Sequence, residues 1–197
     1  MRHWLMHPLV FYPLAAVLAL LFIAISIEPQ AWPRPAAPVA GVAAEGGLVL
    51  EGEALGTPEA DPIQRQFVVR NFLGQTQSLH LAVEPSQPPP ATEDQGVRIL
   101  LAPEAASQLP AGPVTVEVSY NPLPVNPASG LAVSLQGAAP HVWVSADLPP
   151  QPGVARVNLP AQQGAAALGL RVLSSGDDQA YGLEITRIRI LPQAAAN

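Results

Sequence analysis

The sequence predicts an all-β fold of two packed sheets, preceded by one N-terminal transmembrane helix. Short apolar runs with a period of two recur from residue 48 onward, and Pro, Gly, Asn and Asp separate them. No stretch after residue 28 keeps helical spacing for three turns. An uncharged apolar run, residues 8–27, lies near the N-terminus.

Length and composition exclude several classes of protein. The 197 residues allow one ordinary domain and an anchor, but not two full domains. With no Cys, the chain has no disulfide, thiolate zinc site or thiol nucleophile. A net charge of −6 with no cluster of basic residues counts against nucleic-acid binding.

Residues 8–28 are predicted to form the transmembrane helix, as a retained signal anchor. At 1.5 Å per residue, twenty helical residues extend about 30 Å, the thickness of a bilayer core. Pro13 lies near the N-terminal end, where a missing N–H costs least. A cleaved signal peptide is the alternative, but its apolar stretch is usually shorter than this one.

The flanks predict the orientation of this helix. Arg2 precedes it and Glu28 follows it, so residues 1–7 are expected in the cytoplasm and the rest of the chain in the periplasm. Trp4 and Trp32 are placed as membrane-interface anchors. Basic residues that are all Arg, with abundant Ala, Pro and Gly, suggest a bacterial inner-membrane protein with a single span.

Ala15 and Ala19, within the predicted helix, have the spacing of a helix-packing pair, although alanine is common in any apolar run.

Three further segments follow from composition. Residues 29–46 are predicted to be a Pro/Ala-rich linker, extended and semi-rigid. Residues 47–192 form the predicted β-sandwich domain, and residues 193–197 a tail.

The strands are predicted from the alternation of apolar and polar residues along the domain. Their expected ranges are 48–53, 66–72, 79–83, 97–101, 114–120, 131–135, 141–146, 153–159, 168–172 and 181–191. One helical turn is expected over 104–109, a polar loop over 85–96, and a turn over 174–178.

The last predicted strand contains a break in its alternation. Leu183 and Ile185 share one parity, whereas Ile188 and Ile190 have the opposite parity. A β-bulge adds one residue to a strand and reverses the parity beyond it. The sequence therefore predicts a bulge near Thr186–Arg187.

Four strand segments carry a resemblance to a known family of folds. They read VTVEVSY from Val114, LAVSLQG from Leu131, LGLRVLS from Leu168 and YGLEITRIRI from Tyr181. Residues 95–191 resemble the galactose-binding-like jelly rolls, which include many carbohydrate-binding modules. The resemblance implies a two-sheet jelly-roll sandwich. In that family an Asp near the end of the last strand supports a structural calcium, but Thr186 and Arg187 occupy those positions here.

Catalytic and metal-binding motifs are not found. His80 and His141 are single residues without a second His at ligand spacing, and no nucleophile elbow or phosphate loop occurs. The carboxylates have outward parity, which is typical of solvated side chains: Glu51, Glu53, Glu117 and Glu184. Asp177 and Asp178 are expected in a polar turn. We therefore expect no enzyme activity, no metal and no cofactor.

Aromatic side chains provide the candidates for ligand or partner contact. Trp143 has the opposite parity to Val142 and Val144, so either the indole faces outward over buried valines or the indole lies in the core. Tyr181 opens the last strand and could lie at its rim. Two further contact candidates are Tyr120, whose parity favours the core, and His141.

Two hypotheses for function come from different classes. In the first, the protein is a non-catalytic docking subunit of a larger membrane complex, with the bilayer and another membrane protein as partners. In the second, the domain is a glycan-binding accessory module of an envelope or exopolysaccharide system. Scarce surface chemistry favours the first and the resemblance favours the second.

Overall fold

The computed structural model describes residues 7–26, 32–44, 46–83, 96–138, 140–173 and 181–193. The chain divides into two units, Met1–Trp32 and Pro33–Asn197. Predictions that rest on Arg2, Trp4, Glu28 and the turn 174–178 lie outside the described residues.

Helix α1, Pro8–Ser26, is the described element of the first unit. No helix among the described residues is long and apolar enough to cross a membrane. The predicted span over 8–28 therefore gains no support from the part of the chain that the structure describes. Ala15 and Ala19 lie on this helix, and Trp32 beyond it is exposed.

Two antiparallel β-sheets form the second unit, which confirms the predicted all-β, two-sheet class. Two short helical elements, a 3₁₀ turn at Gly52–Leu55 and α2 at Pro103–Ala106, interrupt the strands. The described strands are β1 Val42–Ala44, β2 Gly47–Glu51, β3 Gln64–Arg70, β4 Thr76–Val83, β5 Val97–Leu100, β6 Val114–Pro122, β7 Gly130–Gln136, β8 Val144–Asp147, β9 Gly153–Leu159, β10 Ala167–Leu173 and β11 Tyr181–Pro192.

The seven-stranded sheet is organised around β11, its longest strand. One edge of β11 pairs with β6, which pairs in turn with β9. The other edge is shared, because residues 181–185 pair with β4 and residues 187–190 pair with β2. Strands β3 and β1 then extend the sheet beyond β4 and β2 respectively. The four-stranded sheet has the order β5-β10-β7-β8.

The predicted bulge in the last strand is confirmed. The register of β11 against β6 shifts between Ile185 and Arg187, so Thr186 is the additional residue. The shift allows both halves of β11 to bury their apolar side chains on one face of the sheet. Leu183 and Ile185 before it, and Ile188 and Ile190 after it, are all fully buried.

The segment before β2 belongs to the fold, although we expected it in the linker 29–46. Val39 forms a parallel bridge with Leu101, and its N–H donates to the Leu100 carbonyl at 2.8 Å. The Thr57 hydroxyl donates to the Ala37 carbonyl at 3.1 Å. Strand β1 follows this segment and lies at an edge of the seven-stranded sheet. Proline prevents helix and central-strand formation here, but it does not prevent an extended segment from packing at an edge.

The apolar core lies between the two sheets. Alternate residues of the strands meet there, as the period of two predicts. Fully buried large side chains come from both sheets and include Leu48, Leu50, Leu79, Leu81, Ile99, Leu131, Leu168, Leu170, Leu183 and Ile185.

Candidate functional site

Strands β7 and β10 are buried on both of their faces, unlike the outer strands of the sandwich. Their core face carries the leucines and valines of the pattern. Their other face, the outer face of the four-stranded sheet, carries Ser134, Gln136, Gly169 and Arg171. Small and polar residues at these positions are buried only if other side chains pack over them. The outer face of the four-stranded sheet is therefore partly covered and is not simply exposed to solvent.

Trp143 contributes to that cover. It immediately precedes β8, the strand that pairs with β7 at this edge of the sheet. A Cβ built on Gly169 would lie 2.8 Å from Trp143 Cη2 and 2.6 Å from Ser134 Oγ. A Cβ on Gly96 would lie 2.7 Å from the same indole atom. The two glycines therefore create the space in which the edge of the indole lies against the sheet.

Arg171 holds the indole by a cation–π contact. Its guanidinium carbon lies 4.1 Å from the centre of the Trp143 ring. Arg171 is 5% exposed, so the contact is largely desolvated. Such contacts are worth about 2 kcal/mol when they are desolvated. The orientation of Trp143 is thus determined by a buried charge below the ring.

His141 lies beside the indole at the surface. The centres of the two rings are 5.9 Å apart, and the rings are nearly perpendicular, at 77°. Trp143 Nε1 and His141 Nε2 are buried, and neither has a hydrogen-bond partner among the described residues. A buried polar atom without a partner costs about 1–3 kcal/mol. These two nitrogens therefore keep an unused capacity for hydrogen bonds, although both are buried in this arrangement of the rings.

A polar pair forms the floor next to the indole. Gln136 Nε2 donates to Ser134 Oγ at 3.1 Å, and both residues are buried. Across β10 from this pair, Arg98 of β5 forms an ion pair with Glu59. We use the name indole face for the set Ser134, Gln136, His141, Trp143 and Arg171.

The structure brings together two of the four predicted contact residues and separates the other two. Trp143 and His141 are neighbours on the indole face. Tyr120 is in the core, 4% exposed, and its hydroxyl donates to the Pro149 carbonyl at 3.1 Å. Its ring is therefore not available as a contact. Tyr181 begins β11 and packs partly against the core, and burial raises the pKa of its phenol.

The structure decides between the two orientations that the parity of Trp143 left open. Val144 packs against the core, whereas Trp143 is half-buried outside the core and Val142 is 56% exposed. The sequence analysis missed Gln136 and Arg171 as parts of this face. One signal was present, since Gln136 and Arg171 are long polar residues at outward positions of the two central strands, where most of the other residues are small.

The carboxylates lie elsewhere and have partners. Four of them form ion pairs or hydrogen bonds on the seven-stranded sheet or next to it: Glu51 with Arg187, Glu53 with Arg34, Glu117 with Arg156 and Arg189, and Glu184 with His80. No group of three metal-ligating side chains occurs among the described residues. These four carboxylates are thus engaged with partners among the described residues.

Two of these carboxyl groups have a lowered pKa. The N–H of Thr76 donates to Glu53 Oε1 at 2.8 Å, and this bond is the main cause for Glu53, against a smaller opposing effect of burial. For Glu184, burial acts to raise the pKa, but hydrogen bonds and the charge of His80 together lower it. The lowered pKa favours the ionised carboxylate form of both Glu53 and Glu184.

Comparison with known proteins gives two solved structures to report. The chain is similar to the N-terminal CBM22-1–CBM22-2 tandem domain of Paenibacillus barcinonensis Xyn10C, at 14% identity and a TM-score of 0.44 over 80% of this chain. It spans 50% of that tandem domain. It is also similar to the CBM22-1 xylan-binding domain of the same protein, at 14% identity and a TM-score of 0.43, over 77% of this chain and 100% of that domain.

Neither a protein-family model nor a curated protein matches this sequence. At this identity and these TM-scores, the likeness to the two structures carries no information about what the chain binds. The residues of the chain itself have to support any function.

Proposed function

We propose that the β-sandwich is a non-catalytic carbohydrate-binding module of jelly-roll type, and that its indole face contacts a polysaccharide. The observation that carries the proposal is Trp143, half-buried and held by Arg171 next to a buried amide and hydroxyl, Gln136 and Ser134. Sugars have apolar ring faces edged by hydroxyl groups, so a ligand site for them combines an aromatic ring with a few polar groups.

The unpartnered nitrogens support a hydroxyl-rich ligand in particular. Trp143 Nε1 can donate to a sugar oxygen, and His141 Nε2 can donate or accept according to its tautomer. Binding then requires the two half-buried rings to turn toward the ligand. We expect a neutral polysaccharide to bind with a Kd of about 0.1–1 mM, because one aromatic ring and few polar groups form the contact.

Titration of the full-length protein with soluble neutral hexasaccharides, xylohexaose and cellohexaose, tests the proposal. Calorimetry should detect binding, and the indole emission should change as Trp143 moves. Trp143→Ala should weaken binding at this face at least tenfold, whereas the matched control Val142→Ala, an exposed neighbour, should bind like the wild type. Unchanged affinity in Trp143→Ala, with a wild-type thermal unfolding curve, would overturn the assignment.

The docking-subunit hypothesis gains no support from the described residues or from the comparisons. An envelope location is a further part of the proposal, and it rests only on the sequence. Fractionation of cells that express the full-length chain, with periplasmic and cytoplasmic marker proteins, tests that location independently of glycan binding.

A further inference from the structure

The outer face of the seven-stranded sheet carries a second mixed row of side chains, on the side of the sandwich away from the indole face. Cross-strand partners place Phe67 of β3 beside His80 of β4, His80 beside Glu184 of β11, and Glu184 beside Asn121 of β6. The row therefore crosses four adjacent strands. Three strand spacings make it about 14 Å long.

All four side chains lie on the face opposite the core. The neighbours of His80 and Glu184 along their strands are buried leucines and isoleucine, and cross-strand pairing places Phe67 and Asn121 on the same face as these two residues, so the alternation of the strands directs the row outward. Phe67 is 57% exposed, and the His80 and Glu184 side chains are 31% and 28% exposed. The row therefore places an exposed phenyl ring next to partly exposed polar groups, the combination of an apolar surface with hydrogen-bonding groups that a saccharide requires.

Hydrogen bonds fix the polar end of the row. Asn121 Nδ2 donates to Glu184 Oε2 at 3.0 Å, and His80 Nε2 lies 3.4 Å from Glu184 Oε1. The carboxylate is therefore oriented from both sides, and each oxygen keeps lone pairs for a further donor. An oriented acceptor that needs no rearrangement is the kind of group that binding sites use.

Small residues and the Leu123 side chain border this row on one side. The next residues along β4 and β11 on the same face are Ala82 and Gly182, which are themselves cross-strand partners. A Cβ on Gly182 would lie 2.5 Å from the Leu81 carbonyl oxygen and 3.0 Å from Leu123 Cδ1, so a larger residue is excluded at this position. Gly182 is buried, so a ligand on this face would lie along the row itself, between Phe67 and Asn121.

We propose that Phe67, His80, Asn121 and Glu184 form a second saccharide-binding face, which makes the module bivalent. Phe67 supplies the apolar surface for one sugar ring, and Glu184 accepts hydrogen bonds from the hydroxyls of the next. Asn121 donates through its second amide hydrogen. This inference rests on the proposed function, because it assigns the same class of ligand to an independent site.

Stoichiometry of binding distinguishes the two faces. Wild-type protein titrated with xylohexaose or cellohexaose should bind two molecules per chain, and Phe67→Ala should reduce this number to one. Glu184→Gln should weaken the second site about tenfold, which is a loss of one charged hydrogen bond. The control is Phe72→Ala, which removes another exposed phenyl group outside the row and should leave two sites.

A second measurement does not depend on the fit of a titration curve. A bivalent module cross-links long chains, so wild-type protein should precipitate soluble xylan or raise its viscosity, and Phe67→Ala and Trp143→Ala should each lose this effect. Thermal unfolding checks that each variant is folded.

The outcomes separate this inference from the proposed function. One site that is lost in Trp143→Ala and unchanged in Phe67→Ala would overturn the second face and leave the first. One site that is lost only in Phe67→Ala would support the second face and overturn the first. No binding of either hexasaccharide by the wild type would overturn both.

Discussion

The side-chain oxygen Oε1 of Gln64 accepts a hydrogen bond from the backbone N–H of Val172 at 2.8 Å. Gln64 belongs to β3 of the seven-stranded sheet, and Val172 belongs to β10 of the four-stranded sheet. Both residues are buried. One amide side chain therefore joins the two sheets at a point where the apolar core alone would leave a strand N–H without a partner.

Gln64→Met keeps the length of this side chain and removes the acceptor. The N–H of Val172 would then be buried without a partner, whereas the loss of Gln64 Nε2, which is buried without a partner among the described residues, offsets part of this cost. The free energy of unfolding should therefore fall by about 1 kcal/mol. Urea denaturation measures this change. Gln77→Met, at an exposed position of β4, is the matched control and should change stability by less than about 0.5 kcal/mol. Equal stability of the two variants would contradict the prediction.

Gly169→Ala tests the space under the indole. The added methyl group would lie 2.6 Å from Ser134 Oγ and 2.8 Å from Trp143 Cη2, so the indole has to move. We expect a loss of about 1–3 kcal/mol and a shift of the indole emission. Gly112→Ala has nothing within 4 Å of the new atom and serves as the control. If both variants keep the wild-type emission spectrum, Trp143 does not lie against Gly169.

Glu53 should make stability depend on pH. The pKa of its carboxyl group is lower in the folded chain than in the unfolded chain, so the unfolded state binds more protons between the two values. The stabilisation is present above the unfolded value, about 4.3, and is lost as the pH falls through the folded value. Chemical denaturation at pH 7 and at a series of pH values below 4.5 measures it.

Glu53→Gln should flatten this part of the pH profile, because it removes the titrating group and retains only a neutral acceptor for the Thr76 N–H. The expected cost at pH 7 is about 1 kcal/mol or less, since the side chain is 57% exposed. Glu104→Gln, an exposed carboxylate on α2, should leave the profile as in the wild type. A wild-type slope in Glu53→Gln would refute the assignment.

Glu117 connects two guanidinium groups across three strands. Its oxygens lie 3.0 Å from Arg156 Nε and 3.0 Å from Arg189 Nη1, and its side chain is only 13% exposed. Glu117→Ala leaves both arginines without this partner and should cost about 1–3 kcal/mol. Arg156→Ala removes a side chain that is 74% exposed and should cost less than about 0.5 kcal/mol. Similar losses in the two variants would show that the pair with Arg189 adds nothing to stability and would contradict the prediction.

Local patterns in the sequence predicted much of this fold. The alternation of β11 was sufficient to locate its bulge. Apolar residues on one face are two positions apart, and an extra residue in the strand shifts them to the opposite parity. The same reasoning identified the core positions of β6, including Tyr120. Strand β1 was missed, since its three residues are too few for a periodic pattern and lie among prolines.

The helix near the N-terminus shows where composition was not sufficient. An apolar run predicted a membrane span over 8–28, whereas no helix among the described residues meets the length and apolarity that crossing a membrane requires.

The class of fold and the parity of the strands could be inferred from the chain alone, because each depends on residues close together in it. The face that Trp143 occupies, and the residues beside it, depend instead on how distant strands pair. Arg171 comes within 4.1 Å of the indole because β8, β7 and β10 are adjacent in one sheet. The row from Phe67 to Asn121 likewise depends on the register of four strands, which no local pattern specifies.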